Sequence, residues 1–164
     1  VFKMKVFEFA LKFEREHKSF YKECKVNTDN QRLKQVFSDL AEEENKHQEI
    51  IKQLSEDQKV KKVESDLLPQ VKEVFEEVVS DLPENALPDK QVDIYKKAKR
   101  MEKETYQFYK SKAEEAELPH VKDVFQGLAQ EERKHKVIME NLVELVNRPN
   151  TWLDDAEWYH LEDY

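Results

Sequence analysis

The sequence predicts an all-α protein: a four-helix bundle built from two repeated helix pairs, with a long crossover that contains a short helix. Three observations predict it. The chain is 39% charged and 38% hydrophobic, with one glycine and five prolines, a profile of long amphipathic helices. Apolar residues recur at helical spacing in four long segments. Residues 36–47, VFSDLAEEENKH, recur 88 positions later as residues 124–135, VFQGLAQEERKH. A chain of 164 residues suffices for one domain with a substantial core. The bundle is assigned to residues 1–148, and residues 149–164 form a tail.

In residues 6–24 one stripe holds Phe7, Ala10, Glu14, His17 and Tyr21, flanked by Phe9, Phe13 and Phe20. Thr28, Asp29 and Asn30 are each suited to cap the next helix. That helix, 31–55, turns Leu33, Val36, Phe37, Leu40, Ala41, Glu44, His47, Ile51 and Leu54 inward. Residues 55–89 hold Pro69, Pro83 and Pro88 and are too long for an ordinary bundle loop. Val71, Val74, Phe75 and Val78 mark a short helix over 71–80. Such a crossover lets the second and third long helices run parallel. The third, 90–117, carries Tyr95, Ala98, Met101, Glu102, Thr105, Phe108 and Tyr109 on its stripe, and Leu118-Pro119 ends it. The fourth spans 120–146. The tail is acidic and aromatic, with Trp152, Trp158, Tyr159 and Tyr164, and is expected to pack on the bundle or on a partner chain.

A formal net charge of −8 argues against nucleic acid as a partner. No apolar run approaches the roughly 20 residues that span a bilayer, so no membrane partner is expected. The single cysteine, Cys24, excludes an internal disulfide framework and a four-cysteine metal module in this chain. A cytoplasmic location is the expectation. The chain opens at Val1 rather than Met, which leaves a preceding segment open.

The repeat also relates the first and third helices: Ala10, Glu14, Glu16, Phe20, Tyr21 and Lys22 match Ala98, Glu102, Glu104, Phe108, Tyr109 and Lys110. Each second helix of a pair carries Glu-x-x-His, Glu44/His47 and Glu132/His135. Residues three apart share a helix face, so carboxylate and imidazole sit within an apolar stripe. The motif alone does not discriminate. All five histidines have a glutamate three positions earlier, including Glu117/His120 at the Pro119 break and Glu157/His160 in the tail. The stripe and the repeat select two of them. Folding two pairs into a bundle brings Glu14, Glu44, His47, Glu102, Glu132 and His135 together. A plain ion-pair network would leave four buried carboxylates facing two imidazoles, and they would repel one another without a cation. One Glu from each of two helices plus Glu-x-x-His from each of the other two is the ligand set of a dinuclear carboxylate site. Mixed oxygen and nitrogen donors suit iron or manganese, with zinc as a substitute. Glu44 and Glu132 would bridge two ions, Glu14 and Glu102 would be terminal, and each histidine would hold one ion. Tyr21 and Tyr109, two turns beyond their glutamates, would hydrogen-bond to ligand carboxylates or simply pack.

Across residues 5–146, Glu14 with Tyr21, Glu44-x-x-His47, Glu102 with Tyr109 and Glu132-x-x-His135 make the chain resemble the diiron domain of the rubrerythrin group in the ferritin-like superfamily. The resemblance implies two iron ions and peroxide reduction. Two features depart from that group's pattern. The additional glutamate three residues after the third-helix ligand is Thr105 here, while the repeat-equivalent position is His17, a candidate accessory ligand. The four-cysteine iron domain that serves as electron donor has no counterpart in this chain, so an external donor such as a rubredoxin-type protein is implied. The leading expectation is an oxidoreductase that reduces hydrogen peroxide or O2. Alternatives are a ferroxidase for iron storage or delivery, and a non-catalytic scaffold or sensor with a structural dimetal site. A homodimer is expected, with exchange of helix pairs between chains open.

Overall fold

The computed structural model describes residues 2–81 and 91–147, with side chains from residue 5 onward. The expected tail at 149–164, Pro83 and Pro88 lie outside the described residues. Among those described, the elements are α1 (Phe2–Asn27), α2 (Gln31–Ser55), α3 (Leu67–Asp81), α4 (Val92–Glu115) and α5 (Pro119–Asn147), with no strand. Helix α1 packs along α2 and α4 along α5, and the two pairs meet through α1 with α4 and α2 with α5.

Local chemistry sets the boundaries. Of the three candidate caps, Asn30 does the capping: its side-chain oxygen accepts from the backbone N–H groups of Arg32 and Leu33 at 3.0 and 3.1 Å. At the far end of α2 the chain turns through Asp57 in the left-handed region, φ 56°, and the Gln58 N–H closes the end on the Gln53 carbonyl at 2.9 Å. The crossover helix starts at Leu67, four residues earlier than its apolar spacing predicts. Pro69 falls in its first turn, where N–H groups have no intrahelical acceptor, so proline removes no bond there. The Ser65 hydroxyl oxygen accepts from the Leu67 N–H at 3.1 Å. Helix α4 stops at Glu115, two residues short of the expected end, because Leu118 precedes a proline that cannot continue it. Pro119 instead opens α5.

Two apolar clusters fill the bundle. One gathers Val6, Phe7, Ala10, Ile51, Leu54, Tyr109, Ala113, Val124, Phe125, Leu128 and Ala129. The other includes Tyr21, Leu33, Phe37, Leu40, Tyr95, Ile138, Met139 and Leu142, with Leu67, Leu68, Val71, Phe75 and Val78 of α3 laid over it. Along α1 and α5 the chain meets the Phe125 cluster first; along α2 and α4 it meets the Phe37 cluster first. Hence α2 and α4 run parallel, as the crossover requires. Arg32 of α2 bonds Glu77 and reaches Asp81 at 2.7 Å, fastening α3 from the side. Phe13 meets Phe108 edge-on at 5.1 Å between ring centres, whereas Phe9, expected to flank the core stripe, is half exposed.

The chain's one glycine has a packing reason. A Cβ on Gly127 would sit 2.9 Å from the Cβ of Val63, where the crossover lies against α5. Its repeat partner is Asp39, which instead lines a cavity with crossover residues 62–67. Phe75→Ala removes a fully buried ring and is expected to cost about 3–5 kcal/mol of unfolding free energy in urea. Gly127→Ala should cost about 1–3 kcal/mol by forcing the crossover outward. A neutral Phe75→Ala would mean that α3 is not part of the cooperative core.

Candidate metal centre

Between the two apolar clusters lies one polar layer. On each long helix the apolar stripe is interrupted at its middle. Glu14 and His17 follow Ala10 on α1. Glu44 and His47 follow Leu40 and Ala41 on α2. Glu102 and Thr105 follow Ala98 on α4, and Glu132 and His135 follow Leu128 and Ala129 on α5. Helical spacing aims each pair inward, and all eight residues are buried. The six residues expected at the centre come together within one chain.

The distances are short. His47 Nδ1 lies 3.0 Å from Glu132 Oε1, 3.4 Å from Glu14 Oε2 and 3.9 Å from Glu44 Oε2. His135 Nδ1 lies 2.6 Å from Glu44 Oε1 and 3.7 Å from both Glu102 Oε1 and Glu132 Oε2. His17 is drawn in as well, with Nδ1 at 3.4 Å from Glu102 Oε1 and 3.7 Å from Glu44 Oε2 and Glu132 Oε2. Two sets of donor atoms each fall within 4.8 Å of one another: Glu14, Glu44, His47 and Glu132, and His17, Glu44, Glu102 and Glu132. Glu44 and Glu132 belong to both. His120 at the helix break is exposed and not part of this; His160 of the tail lies outside the described residues.

The tyrosines cross between repeats. Tyr21 of α1 donates to Glu102 Oε1 of α4 at 2.5 Å, and Tyr109 of α4 donates to Glu14 Oε1 of α1 at 2.6 Å. Each binds one oxygen of the other repeat's carboxylate and leaves the second without a hydroxyl partner; Glu14 Oε2 lies 3.4 Å from His47 Nδ1, whereas Glu102 presents the Tyr21-bound Oε1 to His17 Nδ1 at 3.4 Å. The two second oxygens, Glu14 Oε2 and Glu102 Oε2, are buried without a hydrogen-bond partner. So are both oxygens of Glu44, Glu132 Oε2, His17 Nδ1 and His135 Nδ1. Buried polar atoms left unmatched cost several kcal/mol. Here seven of them face one another, all are metal-donor types, and a divalent cation among them would satisfy them together. The residues fit a metal.

Sequence reasoning missed Glu43 and Glu131. Glu43 accepts from His135 Nε2 at 2.7 Å and from the Ser65 hydroxyl, tying the crossover to the back of the imidazole. Glu131 is buried, with Lys134 Nζ at 3.1 Å from Oε1. The available signal was the repeat. Glu43 and Glu131 are equivalent positions directly before Glu44 and Glu132, whereas the neighbouring Glu42 pairs with Gln130. A cavity of about 510 Å³ opens beside this pair and reaches His47, lined also by Asp39, Glu42, Glu64 and Asp66.

Without a cation the layer divides protons unevenly. Burial, with the Glu132 charge, pushes Glu44 well above the usual carboxylate range. Burial, with the Glu102 charge, pushes Glu132 up to about 8. Burial acts the same way on Glu14 and Glu102 but is outweighed. The His47 charge brings Glu14 down to about 2, and the His17 charge takes Glu102 well below its ordinary value. Burial alone would lower the imidazoles. Glu102 raises His17, Glu14 raises His47 and Glu44 raises His135 above the ordinary value. Burial likewise opposes ionisation of Glu43, but its bond from His135 brings it to about 2.

The sign for stability follows. The contribution of Glu132 is fully present below its unfolded value of 4.5 and is lost as pH rises through about 8. The imidazoles act in the same sense, from 6.5 upward. Glu14 and Glu43 act oppositely: their contributions are present above 4.5 and lost as pH falls through about 2. The metal-free protein should therefore melt at a higher temperature near about pH 6 than near about pH 9. At the higher pH, added Zn(II) should restore the midpoint in a calorimetric scan.

No helix among the described residues is long and apolar enough to cross a membrane. No curated protein and no solved structure is significantly similar to the chain. A model of the rubrerythrin family matches residues 5–143, nearly the whole bundle with all six residues expected at the centre, and the chain belongs to that family.

Proposed function

We propose that this chain is a non-haem dimetal protein holding two iron ions, and that it is an oxidoreductase reducing hydrogen peroxide or O2 with electrons from an external donor. The observation that carries this reading is the set of orphaned, buried donor atoms on four helices, converging in one layer where four carboxylates outnumber three imidazoles. Glu44 and Glu132, common to both donor sets, would bridge the ions. Glu14 with His47, and Glu102 with His135, would complete the two positions. Mn(II) or Zn(II) would be held by the same donors.

What the ions supply when bound is Lewis acidity and one electron each. Conversion of one H2O2 to two waters consumes two electrons and two protons, so two ferrous ions balance one peroxide. The chain's own groups do the rest. Tyr21 and Tyr109 hold one oxygen of Glu102 and of Glu14, which fixes the direction of the other. Glu43 accepts the outer N–H of His135 and so leaves Nδ1 bare toward the layer. The apolar clusters above and below keep bulk water from the reacting oxygens, and the cavity beside His47 gives a small molecule a way in. Cys24 is the one cysteine in these 164 residues, so the electrons would come from a donor outside them, such as a rubredoxin-type protein.

A ferroxidase that stores or delivers iron would use the same centre. The acidic lining of the cavity, with Asp39, Glu42, Glu43, Glu64, Asp66 and Glu131, favours cation capture and keeps that reading as the second one.

Elemental analysis of protein reconstituted anaerobically with Fe(II) should find about two irons per chain, and Glu44→Ala/Glu132→Ala should lose both. Stopped-flow absorbance then separates the two readings. Oxidation of both irons by one equivalent of peroxide, faster than by air-saturated buffer, supports peroxide reduction. Faster oxidation by O2 supports ferroxidase chemistry. A parent that retains no Fe(II), Mn(II) or Zn(II) refutes the dimetal centre.

A further inference from the structure

We infer that His17 is a seventh metal ligand, so that the two metal positions are chemically unequal: one imidazole serves the position beside Glu14, and two serve the position beside Glu102. The inference rests on the dimetal reading above and goes beyond it.

Three observations carry it. The first is convergence. His17 Nδ1 and His135 Nδ1 approach the same three carboxylates, Glu44, Glu102 and Glu132, from α1 and α5, all within 3.7 Å. His47 Nδ1 approaches Glu14, Glu44 and Glu132, and no second imidazole joins it. The second is tautomer control. The Thr105 hydroxyl donates its one proton to the Met101 carbonyl at 3.0 Å. Toward His17 Nε2, 3.2 Å away, it can therefore only accept. That directs the Nε2–H of His17 outward and leaves Nδ1, which has no hydrogen-bond partner, turned to the carboxylates and able to give its lone pair to a cation. Glu43 does the same for His135, and this is how metal-bound imidazoles are held. The third is the broken repeat. His17 and Thr105 are equivalent positions of the two halves, and they meet across the bundle as donor and acceptor. The repeat thus yields one imidazole and its support instead of two ligands.

The consequence is ordered loading. Nitrogen-rich positions hold the later divalent ions more tightly than oxygen-rich ones, so Co(II) should enter the His17/His135 position first and the His47 position second.

The test is proton NMR of the metal-free full chain titrated anaerobically with Co(II). Each imidazole bound through Nδ1 keeps an Nε2–H, which the paramagnetic ion shifts far outside the ordinary range. The parent should show two such exchangeable signals after one equivalent and three after two. His17→Gln should still bind two Co(II) but show one fewer signal, with the separation between first and second binding reduced. Thr105→Val, which removes the acceptor and leaves the ligand, should keep three signals, one of them exchanging with water about tenfold faster. Thr105 is a positioning residue, and this exchange rate is a readout that packing alone would not move. Two signals in a parent loaded with two Co(II) would overturn the role of His17 and leave the dimetal centre standing. A parent that takes up no Co(II) would overturn both.

Discussion

Four carboxylates buried in one layer are the constraint on which this structure depends. Any one of them, ionised and alone in such a place, would unfold a domain of ordinary stability. The layer tolerates them because each is met from another helix. Tyr21 reaches Glu102, Tyr109 reaches Glu14, and three imidazoles approach the shared pair Glu44 and Glu132. Without a cation the remaining conflict is met by protons, which Glu44 and Glu132 retain and Glu14 and Glu102 give up. A metal pair would replace those protons with a charge that all four carboxylates can share. Metal affinity and the stability of the bundle would thereby be linked in one set of residues.

The surroundings follow from the need to keep that layer dry and in register. Apolar clusters cap it on both sides, and the order in which each helix crosses them sets α2 parallel to α4. Parallel neighbours need a long return, and the crossover is put to use. Its helix lies over one apolar cluster, its Ser65 bonds Glu43 behind His135, and its Val63 lies on Gly127. The support of one imidazole is therefore supplied by a segment that belongs to neither half of the repeat.

The two halves are equal in plan and unequal in detail. Equality puts Glu14 with Glu102, Glu44 with Glu132, His47 with His135 and Tyr21 with Tyr109, and it explains why the tyrosine bonds cross in both directions. Inequality appears where something sits on one side only. Gly127 replaces the equivalent of Asp39 beneath the crossover. Thr105 replaces the equivalent of His17 across the layer. On the reading proposed above, a symmetric frame with an asymmetric third imidazole would make two adjacent metal positions differ without altering Glu44 or Glu132.

Much of this was legible in the chain alone. The helices, the crossover and the apolar stripes follow from periodicity and from the 88-residue repeat, because a helix face is set by local spacing and a repeated face must pack twice; the family was legible only as a resemblance carried by the two Glu-x-x-His motifs and their partner glutamates. Asn30 as the cap and Leu67 as the start of α3 were not legible. Thr28, Asp29 and Asn30 offer equivalent oxygens, and proline is compatible with either side of a helix start. Nor was Glu43 legible as a partner of His135, or Thr105 as the acceptor for His17. Each pair lies on different elements, 92 and 88 residues apart, and in a sequence this rich in glutamate a buried acid reads the same as a solvated one. Which residues can face inward was written in local spacing. Which of them touch, which oxygen each turns to the centre and which imidazole nitrogen is left bare were decided only when four helices closed around one layer, because hydrogen-bond direction is a property of the assembled neighbours and not of the strip of sequence that carries them.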